Sequence, residues 1–212
     1  MQTLDLYQKN TIVTSTEALK LLREGNYRFT HNISMNRDML QKVLATKDQQ
    51  KPFAAILSCM DSRVPAEIIF DLGIGDIFSI RIAGNIISEY VLGSLEYAAA
   101  VNGVRLIVVM GHTCCGAVRG ACDKVQMGHL TSLISKIERA ITAEESVQDN
   151  RTVNNDEFVN KVSAINIHNS IRDMVHQSEI LRDLMENAGL RIVPAMYDVA
   201  TGIVDFFDDR KM

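Results

Sequence analysis

The chain has 212 residues, of which 47% are hydrophobic and 23% charged, with 3 prolines, 12 glycines and a formal net charge of −4. That length allows one substantial core, and the ordinary globular balance excludes a disordered, collagen-like or disulfide-scaffold chain. The basic residues are scattered rather than massed, so no nucleic-acid partner is expected.

Polar residues interrupt the first twenty positions every few residues, and no apolar core follows a basic start, so no secretory signal is read. A helix is predicted over residues 15–31, opening at S-T-E, with Ala18, Leu19, Leu22 and Phe29 on one buried face. A second helix is predicted over 37–46. The run F-A-A-I-L-S (53–58), entered by Pro52, suits a strand buried on both faces. I-F-S-I (77–80) reads similarly, and a helix is predicted over 86–101. V-R-L-I-V-V-M (104–110) is the next strand; its apolar run, broken by Arg105, is far short of a membrane span. A long helix over 159–186 precedes Gly189 as a C-cap, and I-V-P-A-M-Y (192–197) and residues 202–206 supply the last strands.

Strands alternating with helices predict an α/β fold: a mostly parallel central sheet flanked by helices, with a helical N-terminal arm. With no repeat, low-complexity tract or linker, residues 1–212 are read as one domain, with 1–50 the arm and 51–212 the core. No membrane association is expected. A cytoplasmic, reducing setting is, and there four cysteines serve as ligands, catalytic groups or packing rather than disulfides.

Two clusters carry chemistry. C-M-D-S-R (59–63) follows the strand at 53–58, and G-H-T-C-C-G (111–116) follows the strand at 104–110. Both therefore fall at carboxyl ends of strands, where open α/β sheets bind ligands. Cys59, His112 and Cys115 would make a two-sulfur, one-imidazole set that selects zinc and leaves a fourth position for water. Taken singly, a cysteine here is more often a small buried hydrophobe, and a histidine a packed or surface residue. Asp61 can orient a zinc-bound nucleophile while Arg63 holds it ionised. It can instead be one half of a surface ion pair, or a fourth metal ligand in a closed state.

C-M-D-S-R-V followed 53 residues later by H-T-C-C-G resembles the paired motifs of the β-class carbonic anhydrases. The similarity extends through L-R-E-G-N-Y-R-F (22–29), G-D-I-F-S-I-R-I-A-G-N (75–85) and E-Y-A (96–98), covering roughly residues 22–202. It implies one Zn2+ per subunit on Cys59, His112 and Cys115, and an Asp61–Arg63 catalytic dyad. The reaction implied is reversible hydration of carbon dioxide to bicarbonate and a proton, by zinc-bound hydroxide that Asp61 orients. Gln50 matches a glutamine that reaches bicarbonate from the partner subunit, Phe78 and Tyr97 match apolar pocket residues, and Gly116 matches the glycine beside the last ligand. A homodimer or dimer of dimers is implied.

Two positions depart from the family pattern. Ala83 stands where many relatives carry a larger aliphatic residue, and Cys114 stands where a polar residue is usual; Cys114 is read as a spectator. The sequence contains no tryptophan, which favours the plant-like, open-site type over the bicarbonate-regulated one. Hydrolysis of carbonyl sulfide or carbon disulfide, and a non-catalytic zinc-binding role, are the alternatives. A nucleobase deaminase would need H-x-E and P-C-x-x-C, and the chain has neither.

Overall fold

In the computed structural model, which describes residues 13–207, helix α1 (Ser15–Thr30) begins at a reciprocal cap. The Glu17 amide donates to Thr14 Oγ1 at 3.2 Å and the Thr14 amide to Glu17 Oε2 at 3.0 Å. The remaining elements are α2 (Met39–Thr46), β1 (Ala54–Ser58), α3 (Ala66–Ile69), β2 (Ile77–Arg81), α4 (Glu89–Glu96), β3 (Leu106–His112), α5 (Gly116–Cys122), α6 (Gly128–Ser135), α7 (Glu138–Ala143), α8 (Asp156–Gln177), α9 (Glu179–Asn187), β4 (Arg191–Tyr197) and β5 (Val204–Phe206).

The sheet order is β2-β1-β3-β4-β5, with the first three pairings parallel and β4–β5 antiparallel. Every residue of β1 and β3 is buried, which is why both read as unbroken apolar runs rather than alternating ones. On one face, Ala54, Ile56, Val108 and Met110 pack against Ala18 and Leu22 of α1 and against Phe70. On the other, Ala55, Leu57, Ile107 and Val109 pack against α4, α8 and α9. A third cluster, with Ile137, Phe158, Val118 and Val162, encloses Cys59 and Cys115.

The predicted elements hold with shifted boundaries. β3 begins at Leu106, after a left-handed Gly103 (φ 74°). The helix over 86–101 starts at the Ser88 cap and finishes as a wide π turn, Tyr97–Val101. The long helix over 159–186 starts earlier, at Asp156, and is two helices. Ser178 accepts the Leu181 amide at 3.1 Å and donates to Glu96 at 2.6 Å, ending α8 and capping α9. Short helices α5, α6 and α7 occupy a stretch the sequence left unassigned.

Polar side chains help fasten the arm to the core, Lys42 to Asp76 at 3.3 Å among them. Asn26 donates to the carbonyls of Ile69 (3.2 Å) and Gly202 (2.9 Å) and accepts the Val204 amide (2.8 Å). Buried Asp71 receives Arg28 (2.5 Å) and Arg37 (2.6 Å). Burial raises its carboxyl pKa, but the two arginines outweigh this and the net shift is downward. By contrast, α2 buries none of its residues.

Gly25 lies where α1 crosses the end of α3: a Cβ there would stand 1.9 Å from the Phe70 carbonyl oxygen. In a free helix Gly→Ala stabilises by up to ~1 kcal/mol. Here Gly25→Ala should destabilise by about 2 kcal/mol or more, read as a lower urea midpoint at unchanged slope.

Candidate metal centre

The pairing of β1 with β3 builds the centre. Ser58 stands opposite Met110, so Cys59 leaves β1 beside His112, the last residue of β3. A three-residue step from His112 reaches Cys115, which caps α5. The result is a buried group in which the ligating atoms of Cys59, His112 and Cys115 all lie within 4.8 Å of one another, with the two sulfurs 3.9 Å apart.

Each donor is prepared for a cation. His112 is fully buried, and its Nδ1 lies 2.9 Å from the Thr113 carbonyl oxygen. A carbonyl can only accept, so Nδ1 carries the proton and Nε2 presents a lone pair. That Nε2 is buried without a hydrogen-bond partner, a costly condition that a metal ion would relieve.

The thiols form a coupled pair. Hydrogen bonding from Cys115, opposed by burial and aided by the backbone amides of Asp61 and Gly84, holds the Cys59 thiol well below its usual range. The same contact, then burial, pushes Cys115 upward. The pair therefore shares one proton, which a bound cation would displace as both sulfurs became thiolates. Two sulfurs and one imidazole fit zinc, and three protein ligands leave one position open.

Asp61 stands at the rim, with Oδ2 at 4.0 Å from His112 Nε2. Arg63 grips it as a fork: Nε donates to Oδ1 at 2.9 Å, Nη2 to Oδ2 at 2.8 Å, and the Arg63 amide also reaches Oδ1 at 3.0 Å. This fork, chiefly through its side-chain hydrogen bonds, holds the Asp61 carboxyl well below the usual carboxylate range. Nη2 of Arg63 additionally reaches the Cys114 carbonyl at 3.4 Å. Cys114 is left-handed (φ 55°), donates its amide to Asn160 at 2.8 Å, and lies outside the clustered set.

The other expected site residues lie at varying distances from this centre. Ala83 opens the short turn Ala83–Asn85, adjoining Gly84, whose amide donates to Cys59 Sγ at 3.4 Å. Gly84 has φ 67°, and a Cβ there would press on Ile137 at 2.8 Å, so this donor needs glycine. A Cβ at Gly116 would meet nothing within 4 Å, leaving open space beside Cys115. Phe78 and Tyr97 meet edge to face, centroids 6.2 Å apart, in a surface groove shared with Ile80 and Tyr90. Neither the three clustered residues nor Asp61 lines that groove. Gln50 is exposed on the segment before β1.

Sequence reasoning missed four supporting residues: Gly84, Thr113, Asn160 and Arg81. Their partners are main-chain groups or positions remote in sequence, so no local spacing signals them. Thr113 is itself fixed by donating to Asp198 at 3.1 Å and accepting the Val199 amide at 3.0 Å.

Comparison with known proteins follows this geometry. The family model described as carbonic anhydrase matches residues 54–204. A protein of Mycobacterium tuberculosis named carbonic anhydrase 2 is 36% identical over 191 residues, covering 87% of this chain and 89% of its own. A carbonic anhydrase of Pseudomonas aeruginosa is 31% identical over 193 residues, 87% of this chain and 86% of its own. Among solved structures, one of two tetrameric β-carbonic anhydrases of Sordaria macrospora superposes with a TM-score of 0.71 at 24% identity, over 91% of this chain and 95% of that one.

The donor set predicts about one zinc per chain. His112→Ala and Cys115→Ser should each lose most of it by elemental analysis. Treating the loaded protein with a strong chelator should lower its melting temperature measurably.

Proposed function

The chain belongs to the carbonic anhydrase family, with the fold of its β class, and on that footing we propose that it hydrates carbon dioxide reversibly at a zinc centre held by Cys59, His112 and Cys115, with Asp61 and Arg63 orienting the nucleophile. The observation that carries this reading is the Arg63 fork, which leaves Asp61 ionised and 4.0 Å from the metal-facing nitrogen of His112.

Zinc, when bound, supplies a Lewis acid that makes water nucleophilic near neutral pH. The chain's own groups do the aiming. Ionised Asp61 can only accept, so a water beside it turns an O–H toward the carboxylate and a lone pair toward carbon dioxide. Arg63 keeps Asp61 from taking a proton and from leaving its place. This engagement favours the open-site type, with Asp61 partnered by Arg63 rather than acting as a fourth ligand.

Pocket roles for Phe78, Tyr97, Ala83, Gly116 and Gln50 belong to the same proposal. Phe78 and Tyr97 pair in a groove apart from the metal residues of their own chain, so the apolar wall they offer carbon dioxide serves a neighbouring subunit's centre, while the space beside Gly116 leaves room for the substrate. Gln50, exposed on its own chain, serves the neighbouring subunit. A homodimer or dimer of dimers is supported by the tetramers of the Sordaria macrospora relative. It is also supported by exposed apolar side chains at Tyr90 (82%) and Leu40 (76%). The whole chain, 1–212, is taken as one such domain, an arm over 1–50 and a core over 51–212. Among the described residues no helix is long and apolar enough to cross a membrane, and unpaired cysteines fit a reducing cytoplasm.

Stopped-flow carbon dioxide hydration by zinc-loaded protein tests the reading. Asp61→Ala and Arg63→Ala should each lower kcat/KM about 100-fold or more, with zinc content unchanged. Turnover of carbonyl sulfide or carbon disulfide in preference to carbon dioxide would reassign the substrate; no turnover of any of the three would leave a zinc-binding protein without catalysis.

Two thiolates offset the charge of zinc, so the rate should rise between about pH 6.5 and about pH 8.5. Asp61, with its pKa lowered, stays ionised throughout that window, so the rise cannot come from its titration. A flat profile would remove the weakened-metal argument.

A further inference from the structure

We propose that Arg81 is a positioning residue of the hydration site: it locks the turn Cys59–Met60–Asp61, so that ligand sulfur and orienting carboxylate are presented as one rigid piece. The inference rests on the role given to Asp61 above and adds the device that sets its position.

The geometry is direct. Arg81 ends the edge strand β2 and stands opposite Ser58, the last residue of β1. Its guanidinium folds over the following turn, Nε donating to the Cys59 carbonyl at 3.2 Å and Nη2 to the Asp61 carbonyl at 2.5 Å. Asp61 is therefore held at both ends by different arginines, its carboxylate by Arg63 and its main chain by Arg81. The Val64 amide also donates to that carbonyl, at 3.0 Å, closing the turn on its far side. A planar guanidinium can span two acceptors two residues apart in fixed geometry, whereas an ammonium is a single point of attachment. Arg81 is itself exposed, so its removal should cost little folding stability. Loosening the turn should instead show in the alignment of Asp61 and in the hold of Cys59 on the metal.

The test compares zinc-loaded Arg81→Ala, Arg81→Lys, Arg63→Ala and the Arg63→Ala/Arg81→Ala double variant in the full chain. Arg81→Ala should melt like the parent, lose kcat/KM ~10- to 100-fold, mainly in kcat, and release zinc to a chromogenic chelator ~10-fold faster. Arg81→Lys should recover part of both losses. Because both arginines act through Asp61, the double variant should fall no more than ~3-fold below Arg63→Ala alone. Arg81→Ala with kcat/KM within about twofold of the parent and unchanged zinc release would overturn the proposal. So would losses that multiply fully in the double variant. Parental activity in Arg63→Ala is a different failure: it would remove the role of Asp61 itself, on which this inference stands.

Discussion

Two strands excluded from water on both faces, β1 and β3, run side by side in parallel, and their register sets where the chemistry can happen. Ser58 faces Met110, so the next residue on one strand and the last on the other are a cysteine and a histidine. A one-residue slip in either strand would turn its side chains to the opposite face and separate the ligands. The apolar layers on both sides oppose that slip, because every side chain on β1 and β3 is buried. The same burial that stabilises the sheet therefore also specifies the metal geometry. The crevice at the strand ends is completed by α5, whose N-cap is Cys115.

Around this centre the electrostatics run in one direction. Two sulfurs stand 3.9 Å apart with the Asp61 carboxylate at the rim, and arginines surround them: Arg63 on the Asp61 carboxylate, Arg81 on the carbonyls of Cys59 and Asp61, and Arg119 on Asp156 and on the Val153 carbonyl of the neighbouring loop. Of these three arginines Arg63 pairs with a charged group of the centre; the others hold main chain or an adjacent loop. Arg63 thus supplies charge and grip together, whereas Arg81 holds main chain alone.

The strands were legible because β1 and β3 lie in short apolar runs entered at Pro52 and Gly103, the second rich in β-branched residues. The clustering of Cys59, His112 and Cys115 was legible because all three follow the carboxyl ends of those strands. The supporting residues were not. Arg81 meets Cys59 only because β2 happens to pair with β1 in that register, and nothing in the sequence between two residues 22 positions apart signals it. The break at Ser178 was hidden for a related reason. Helix formers continue across it, and the serine stops α8 through a bond to Glu96, a residue 82 positions away. Helices α5 to α7 are too short for periodicity to register against their neighbours.

The three ligands also have a topological consequence. Cys59 and Cys115 lie 56 residues apart in sequence, so a metal ion shared between them closes a large loop in the chain. By the loop-closure relation used for disulfides, a covalent link over that span would restrict the unfolded ensemble by about 4 kcal/mol. Coordination supplies a comparable restraint that pH and chelation can undo. With a metal bound, the centre would in that sense be a removable cross-link, joining the first and second halves of the parallel sheet in a protein whose cysteines are unlinked to one another.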